Sequence, residues 1–408
     1  MGTEGSMDAD VPFSQQEYEL RREHTKRLMR ERGIDVLYVT SPANLYYLAN
    51  HELIWYDGRT PTGLVLSQEG PAVLLDGTDH QAQGAATTTL IDEAIYFEIG
   101  SPLRDGGQGP SSFAMPEVDT VATALKKLGV RGRRVGLEYW SRAPSGPTLA
   151  ALASRLREEG ADVVDGSFLV DRVRFVKSPQ EVDYVRRAAE IADTAMDGVR
   201  SSIDVGVTEL EVAAEIYRLL LEQGGEEPAI RVLVHSGPRS SHYHGPSTTR
   251  RIGPEEMVWV DFCGVYKRYH ADLSRTFSVG DFPRAREVLA QAAPSVTRLL
   301  EAVTVGMPLS EAQRIADEYI DQQGLRTDVW WIGGYSLGAD LPPDWVGHIY
   351  LGGETFEEAM FEPGVLTNYE NLFDFPEEGW GGGFIDTILM TDTGLEVLSK
   401  LPREHSVI

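Results

Sequence analysis

The sequence predicts a two-domain α/β (α+β) protein whose second domain is built from two related halves. Three observations carry this expectation. A chain of 408 residues exceeds the roughly 100 to 200 residues of a usual domain. Short β-branched runs alternate with helical stretches through the first ~165 residues, the pattern of a mixed sheet with helices packed on it. An echo recurs at an offset of one hundred positions, VGVTELEVAAEIYRLLLEQGG from Val205 and VGMPLSEAQRIADEYIDQQG from Val305, and points to a repeated half.

The elements follow in chain order. Ser14 opens a capping-box pattern with Glu17, and the amphipathic stretch behind it runs to Gly33. DVLYVT, TGLVLS, PAVLLDG and RVGLEYW read as strands, and Leu149 to Glu159 as a helix. The domain break falls near Phe168 to Arg174, dividing the chain into residues 1–170 and 171–408, with a long helix over EVDYVRRAAEIADTAMDGVRSSI beyond it. In the echo, Thr208 with Glu211 and Ser310 with Gln313 are capping-box candidates, and Gly224 and Gly324 sit where the two helices should end. Two such halves would bury one sheet under two helix pairs and leave a site between them.

Composition narrows the function. Lys and Arg number 37 against 63 Asp and Glu, a net charge of -26, which makes nucleic acid and anionic membranes poor partners. Charged residues are 25% and hydrophobic residues 42%, as in an ordinary soluble chain. The single cysteine, Cys263, excludes an intramolecular disulfide framework and a thiolate metal cluster. No stretch approaches the roughly 20 apolar residues of a membrane span. A reducing, cytoplasmic setting is expected.

Three stretches hold polar residues where apolar strands do not need them. SGPRSSHYHGPSTTRR is a loop by its Gly, Pro and Ser density, and a local period of two would put His242 and His244 on one side. MVWVDFCGVYKRYHADLSRTFSVG is a hairpin whose apolar strands carry Asp261 and Asp272. Two carboxylates facing each other there repel unless a cation or a shared proton relieves them. EPGVLTNYENLF and GGGFIDTILMTDTG are a second strand pair, with Glu370 and Asp386. Between these pairs, GGYSLGADLPPDWVGHIYLGG is long enough to cap a site and contains Tyr335, Trp345 and His348.

In this order the stretches resemble the pita-bread fold family of methionine aminopeptidase, aminopeptidase P, prolidase, creatinase and ectoine hydrolase, over nearly the whole chain. In the metallopeptidase members, five ligands hold two metal ions: two Asp, a His, a Glu and a last Glu before Asp-Thr. Asp261, Asp272 and Glu370 match three of them, while the His position falls on Tyr335 and the last Glu on Ile385. The resemblance therefore implies a site short of two ligands, the bridging carboxylate among them. Asp386, beside Ile385, would point to the other face of its strand.

VYKRYHADLSRT and GYSLGADLPPDW are similar to the corresponding segments of ectoine hydrolase, and WYDGRTPTG to the creatinase segment that supplies a carboxylate-binding Arg from the neighbouring subunit. His244 matches the proton-transferring His of creatinase and Glu370 its amidinium-binding Glu, whereas Ser274 stands at its second Glu and a second Arg falls near Gly353. What the resemblance implies is a homodimeric, metal-independent hydrolase of a C–N (amidine, guanidino or amide) bond in a small zwitterionic metabolite, with no cofactor. His244 would be general base and then acid, Asp261, Asp272 and Glu370 would bind the cationic group, and Arg59 would clamp a carboxylate across the dimer. His242, Tyr335, Trp345 and His348 would complete the substrate pocket. Three alternatives stay open: an Xaa-Pro dipeptidase or aminopeptidase with one divalent ion (Mn, Fe, Zn or Co) on Asp261, Asp272, Glu370 and His348; a lyase of the dimethylsulfoniopropionate-cleaving type; and a binding protein with an inactive site.

Overall fold

Helices and strands form where capping and alternation place them in this computed structural model, which describes residues 11–52, 58–81, 91–98, 116–342, 345–352 and 359–408. Ser14 caps α1 (Gln15–Glu31) by accepting the Glu17 amide. There follow β1 (Val36–Val39), α2 (Pro42–Ala49), β2 (Gly63–Ser67), β3 (Val73–Gly77), β4 (Glu93–Phe97), α3 (Pro116–Lys127), β5 (Arg134–Leu137), α4 (Gly146–Glu158), β6 (Asp162–Asp165) and α5 (Leu169–Arg174). Among the described residues the strands form one sheet in the order β4-β3-β2-β1-β5-β6. It is mixed, as expected, because β1 pairs antiparallel with β2 and parallel with β5.

The first unit ends at Arg174 and the second begins at Phe175. The reason is packing: Leu169 and Val170 of α5 lie in one core with Met29, Leu37 and Leu45.

The second unit contains α6 (Pro179–Val199), α7 (Glu209–Glu222), β7 (Leu233–Ser236), β8 (Glu256–Tyr266), β9 (Tyr269–Val279), α8 (Pro283–Ala292), α9 (Pro294–Ala302) and α10 (Leu309–Gln322). β10 (Val329–Gly333), β11 (Leu366–Phe375), β12 (Trp380–Thr391), β13 (Gly394–Val397) and β14 (Ser406–Val407) complete it. The strand order β10-β11-β12-β9-β8-β7 reads the same from both edges, helix-bearing half against helix-bearing half. Each half has its own core: Ile216 and Leu220 of α7 pack with Val258, Val260 and Phe262, and Ala316 and Ile320 of α10 pack with Phe373, Phe384 and Ile388. Ile216 and Ile320 are fully buried, so truncating either to Ala would cost about 2–5 kcal/mol.

The echo holds at the turns, where Gly206 and Gly306 have φ of 86° and 84° and the exit glycines Gly224 and Gly324 have 77° and 73°. It breaks at one cap. Thr208 and Glu211 form a full capping box on α7, but α10 starts at Leu309 behind Pro308, and Ser310 does not cap it. Backbone pairing has taken over there, with Leu309 N donating to Ala359 O at 2.8 Å and Gly306 N to Phe361 O at 2.7 Å. Gln313 instead donates to Ile332 O at 3.0 Å. No described helix is long and apolar enough to cross a membrane.

Candidate functional site

Antiparallel pairing brings residues far apart in sequence abreast. One row across the sheet of the second unit runs Leu233, Asp261, Ser274, Ile385, Glu370, Gly333. Two residues along each strand, and therefore on the same face, Cys263 lies opposite Asp272 and Asn368 opposite Thr387. The Thr387 hydroxyl ties these last pairs together, accepting Asp272 N at 2.8 Å and donating to Asp272 O at 3.0 Å. The helices cover the opposite face, where Leu273, Phe277, Phe384 and Ile388 point. Asp386 goes to that side, as the alternation requires, and is met by Arg275 at 2.9 Å and by Arg403.

Asp261, Asp272 and Glu370 are thus gathered on the helix-free face, and all three are buried. No arginine or lysine pairs with any of them among the described residues. Burial first, then Asp272 and Glu370, hold the Asp261 carboxyl well above the ordinary carboxylate range. Burial likewise raises Asp272 against the hydrogen bonds it receives. Burial and the neighbouring Asp272 push Glu370 up to about 8, opposed by hydrogen bonds from Tyr335 and Asn368. Like charges in a dry pocket cannot all ionise without a counter-charge.

Asn368 is the hub of the cluster. Its Nδ2 donates to Asp272 Oδ2 at 3.0 Å and to Glu370 Oε1 at 2.6 Å, while its Oδ1 accepts Tyr335 N at 2.7 Å. Cys263 Sγ lies 3.7 Å from Asp272 Oδ1. Among the described residues, no three His, Cys, Asp or Glu side chains stand together in an arrangement that would hold a metal ion.

Over the first row opens a cavity of about 320 Å³, with Asp261, Glu370, Ile385, Leu233 and Leu372 in its lining. One wall is the histidine loop. Gly381 lets that loop lie on the sheet, since a Cβ there would come within 2.6 Å of Ser241. Ser240 Oγ accepts Gly381 N at 2.9 Å, and the Tyr243 hydroxyl donates to Phe373 O. Tyr243 packs on Trp259 and Trp330, with centroids 4.8 and 4.7 Å apart. His244 meets Trp330 edge-on at 5.2 Å and lines the cavity from its exposed rim. The other wall comes from the long connection, where Tyr335 touches Trp345 at 5.4 Å and Tyr350 at 5.9 Å.

Of the residues singled out in the sequence, Asp261, Glu370, His244, Tyr335 and Trp345 line this cavity, and Asp272 sits behind Asp261 and Glu370. His242 does not. The Gly237 to Gly245 segment is a chain of tight turns, with His242 N donating to Arg239 O and Gly245 N to His242 O, so His242 is turned out to solvent. His348 is half-buried but absent from the lining. Arg59 is exposed on a turn of the first unit; residues 55–57 of its segment, and Gly353, lie outside the described residues. Sequence reasoning missed Asn368, Trp259, Trp330, Trp331 and Tyr350. Asn368 was within reach, because it stands two positions before Glu370 on a strand and so shares its face.

Comparison with known proteins agrees with this architecture. Residues 183–392 match metallopeptidase family M24, and residues 21–176 match the creatinase/prolidase N-terminal domain. The chain is 27% identical to ectoine hydrolase of Halomonas elongata over 98% of its own length and 99% of that protein. It is 25% identical to an Xaa-Pro dipeptidase of Pyrococcus furiosus over 94% and 99% of the two chains. Among solved structures, dipeptidase PepE from Mycobacterium ulcerans superposes with a TM-score of 0.80 at 22% identity, covering 97% of this chain and 99% of that one.

Proposed function

This chain belongs to metallopeptidase family M24, and from that membership and the site we propose that it hydrolyses a C–N bond of a small zwitterionic metabolite without a metal. The carrying observation is the buried trio Asp261, Asp272 and Glu370, which has no cationic side chain paired with it among the described residues and an amide nitrogen, Asn368 Nδ2, donating to two of its members. Relatives named for Xaa-Pro dipeptidase activity imply divalent ions, but this donor set does not fit a pair of them. Ile385 lies between Asp261 and Glu370 in the row where the resemblance places a bridging carboxylate, and Tyr335 stands where it places an imidazole. An amide N–H is a proton donor and cannot coordinate a cation.

On this reading the substrate's own cationic group neutralises the trio. Asp261 and Glu370 touch it from the sheet, and Asn368, whose amide nitrogen also donates to Asp272, holds Glu370 in place from behind. His244, on the open rim, takes a proton from the attacking water and returns it to the leaving nitrogen, a role worth about a hundred- to ten-thousand-fold in rate. Arg59 of a neighbouring subunit in a homodimer would grip the substrate carboxylate with its planar fork.

The test is turnover by chelator-treated enzyme of amidine, guanidino and amide zwitterions beside Xaa-Pro dipeptides, followed as released amine. Hydrolysis of a non-peptide C–N substrate, lost by about a hundredfold or more in His244→Ala, is the expected result. Cleavage of Xaa-Pro dipeptides alone, restored only by added divalent metal, would establish the peptidase reading that the relatives support.

A further inference from the structure

The cavity is far more aromatic than charge neutralisation requires. Among the described residues, four tryptophans line it, Trp259, Trp330, Trp331 and Trp345, with Tyr335 and Tyr350 beside them. The rings form two groups facing the acidic floor, one on the histidine loop and β10, the other on the connection. No lysine or arginine lines the cavity among the described residues. A cation entering it meets aromatic faces and carboxylate charge together, the combination that favours weakly hydrated cations.

The hydrogen bonds inside the floor narrow the ligand further. Glu370 already accepts from Asn368 and from Tyr335, and Asp272 accepts from Asn368 and Cys263. Glu370 and Asp272 therefore supply negative charge while part of their acceptor capacity is taken, and Asp261 Oδ1, buried and without a hydrogen-bond partner among the described residues, is one acceptor left open on the floor. A primary ammonium brings three N–H donors that need acceptors when they leave water, and the indole and aliphatic walls offer none. A tertiary or quaternary nitrogen brings one donor or none, and its alkyl groups carry the charge against the rings.

We infer that this cavity is a cage for an N-alkylated ammonium group, so that the substrate presents an alkylated cation, not a primary amine, to Asp261 and Glu370 between the Trp330 and Trp345 walls. The inference rests on the reading that these carboxylates bind the cationic part of the substrate. It also separates this site from one built for the free amino terminus of a dipeptide.

Binding to the full-length protein, read by calorimetry and tryptophan fluorescence, tests the cage without requiring turnover. The probes are choline, its uncharged tert-butyl isostere, and ethanolamine as the primary amine. Choline should bind about tenfold tighter than either comparator. Trp345→Leu should remove most of that preference by weakening choline more than the isostere. Trp330→Leu, at a half-exposed position, serves as the second variant if the first lowers the melting temperature. Equal or tighter binding of the isostere or of ethanolamine, or no binding of choline, would overturn the cage. A choline preference with no hydrolysis of any C–N substrate would uphold the cage and retire the hydrolase reading. Efficient hydrolysis of primary-amine substrates with no choline preference would do the opposite.

Discussion

The two faces of one sheet treat buried acid in opposite ways. On the helix-covered face Asp386 is fully buried and receives Arg275 at 2.9 Å together with Arg403. On the open face, one residue away at Ile385, lie three carboxylates whose partners among the described residues are one another, an asparagine amide, a tyrosine hydroxyl, a thiol and the Leu273 backbone. The first arrangement is complete and serves the fold. The second gathers like carboxyl groups in a dry pocket, where all of them cannot ionise together without a counter-charge. Burial alone therefore does not separate the two faces; the paired arginines on one and their absence among the described residues on the other do.

The largest effect should come from undoing the complete side. Arg275→Met leaves Asp386 in a dry interior with Arg403 alone, and chemical denaturation should show a loss of about 3–5 kcal/mol. A loss below about 1 kcal/mol would mean that Asp386 is as uncompensated as the trio, and the contrast between faces would fail.

Glu138, in the first unit, is an intermediate case that sharpens the comparison. No cation pairs with it among the described residues, yet it accepts Thr40 N at 2.6 Å, Ser41 N at 2.7 Å and Asn44 Nδ2 at 2.7 Å. Burial pushes it from 4.5 up to about 7 against those hydrogen bonds. Its folded value lies above its unfolded one, so its stabilising contribution is full below 4.5 and is lost as pH climbs through about 7. The wild type should lose on the order of 3 kcal/mol relative to Glu138→Gln across that window. Melting curves of both proteins from acid to neutral pH would show it, and parallel curves would mean that the three donors offset burial and the carboxyl titrates alike in the folded and unfolded chain.

The smallest effect is a gain. Asp261→Asn removes one of three mutually repelling carboxylates, so stability should rise by about 1 kcal/mol while cation binding is lost. Reduced stability on this substitution would show that the acid is structural. That outcome would place the trio beside Asp386 and erase the difference between the two faces.

Much of this was legible because strand alternation is a strict code. Asp261, Asp272 and Glu370 stood out as carboxylates inside apolar strands, and the period of two assigned Asp386 to the far side before its arginines were seen. The halves were legible from the Gly206/Gly306 turns and the Gly224/Gly324 exits, since positive φ favours glycine. What was not legible depended on long-range pairing. The juxtaposition of Ile385 with Ser274, and through it of Asp261 with Glu370, is set by how the two hairpins meet, which no local pattern encodes. The alternation puts Asn368 on the face of Glu370, but a neutral amide on a strand is unremarkable until its two carboxylate partners are placed. His242 was misplaced because a period of two was applied to a loop that curls at Gly237, where φ is 54°. Ser310 was misread because the chain entering α10 is held by backbone bonds to Ala359 and Phe361, which leave nothing for a side-chain cap to add.

The central claim is that the open face awaits an organic cation and not a pair of metal ions. Its most direct test is the metal content of the purified protein, with its melting temperature recorded before and after strong chelation. The account predicts no stoichiometric transition metal and a melting temperature that chelation leaves unchanged. One or two tightly held ions per chain, with a melting temperature that falls on chelation and recovers when the metal is returned, would contradict it.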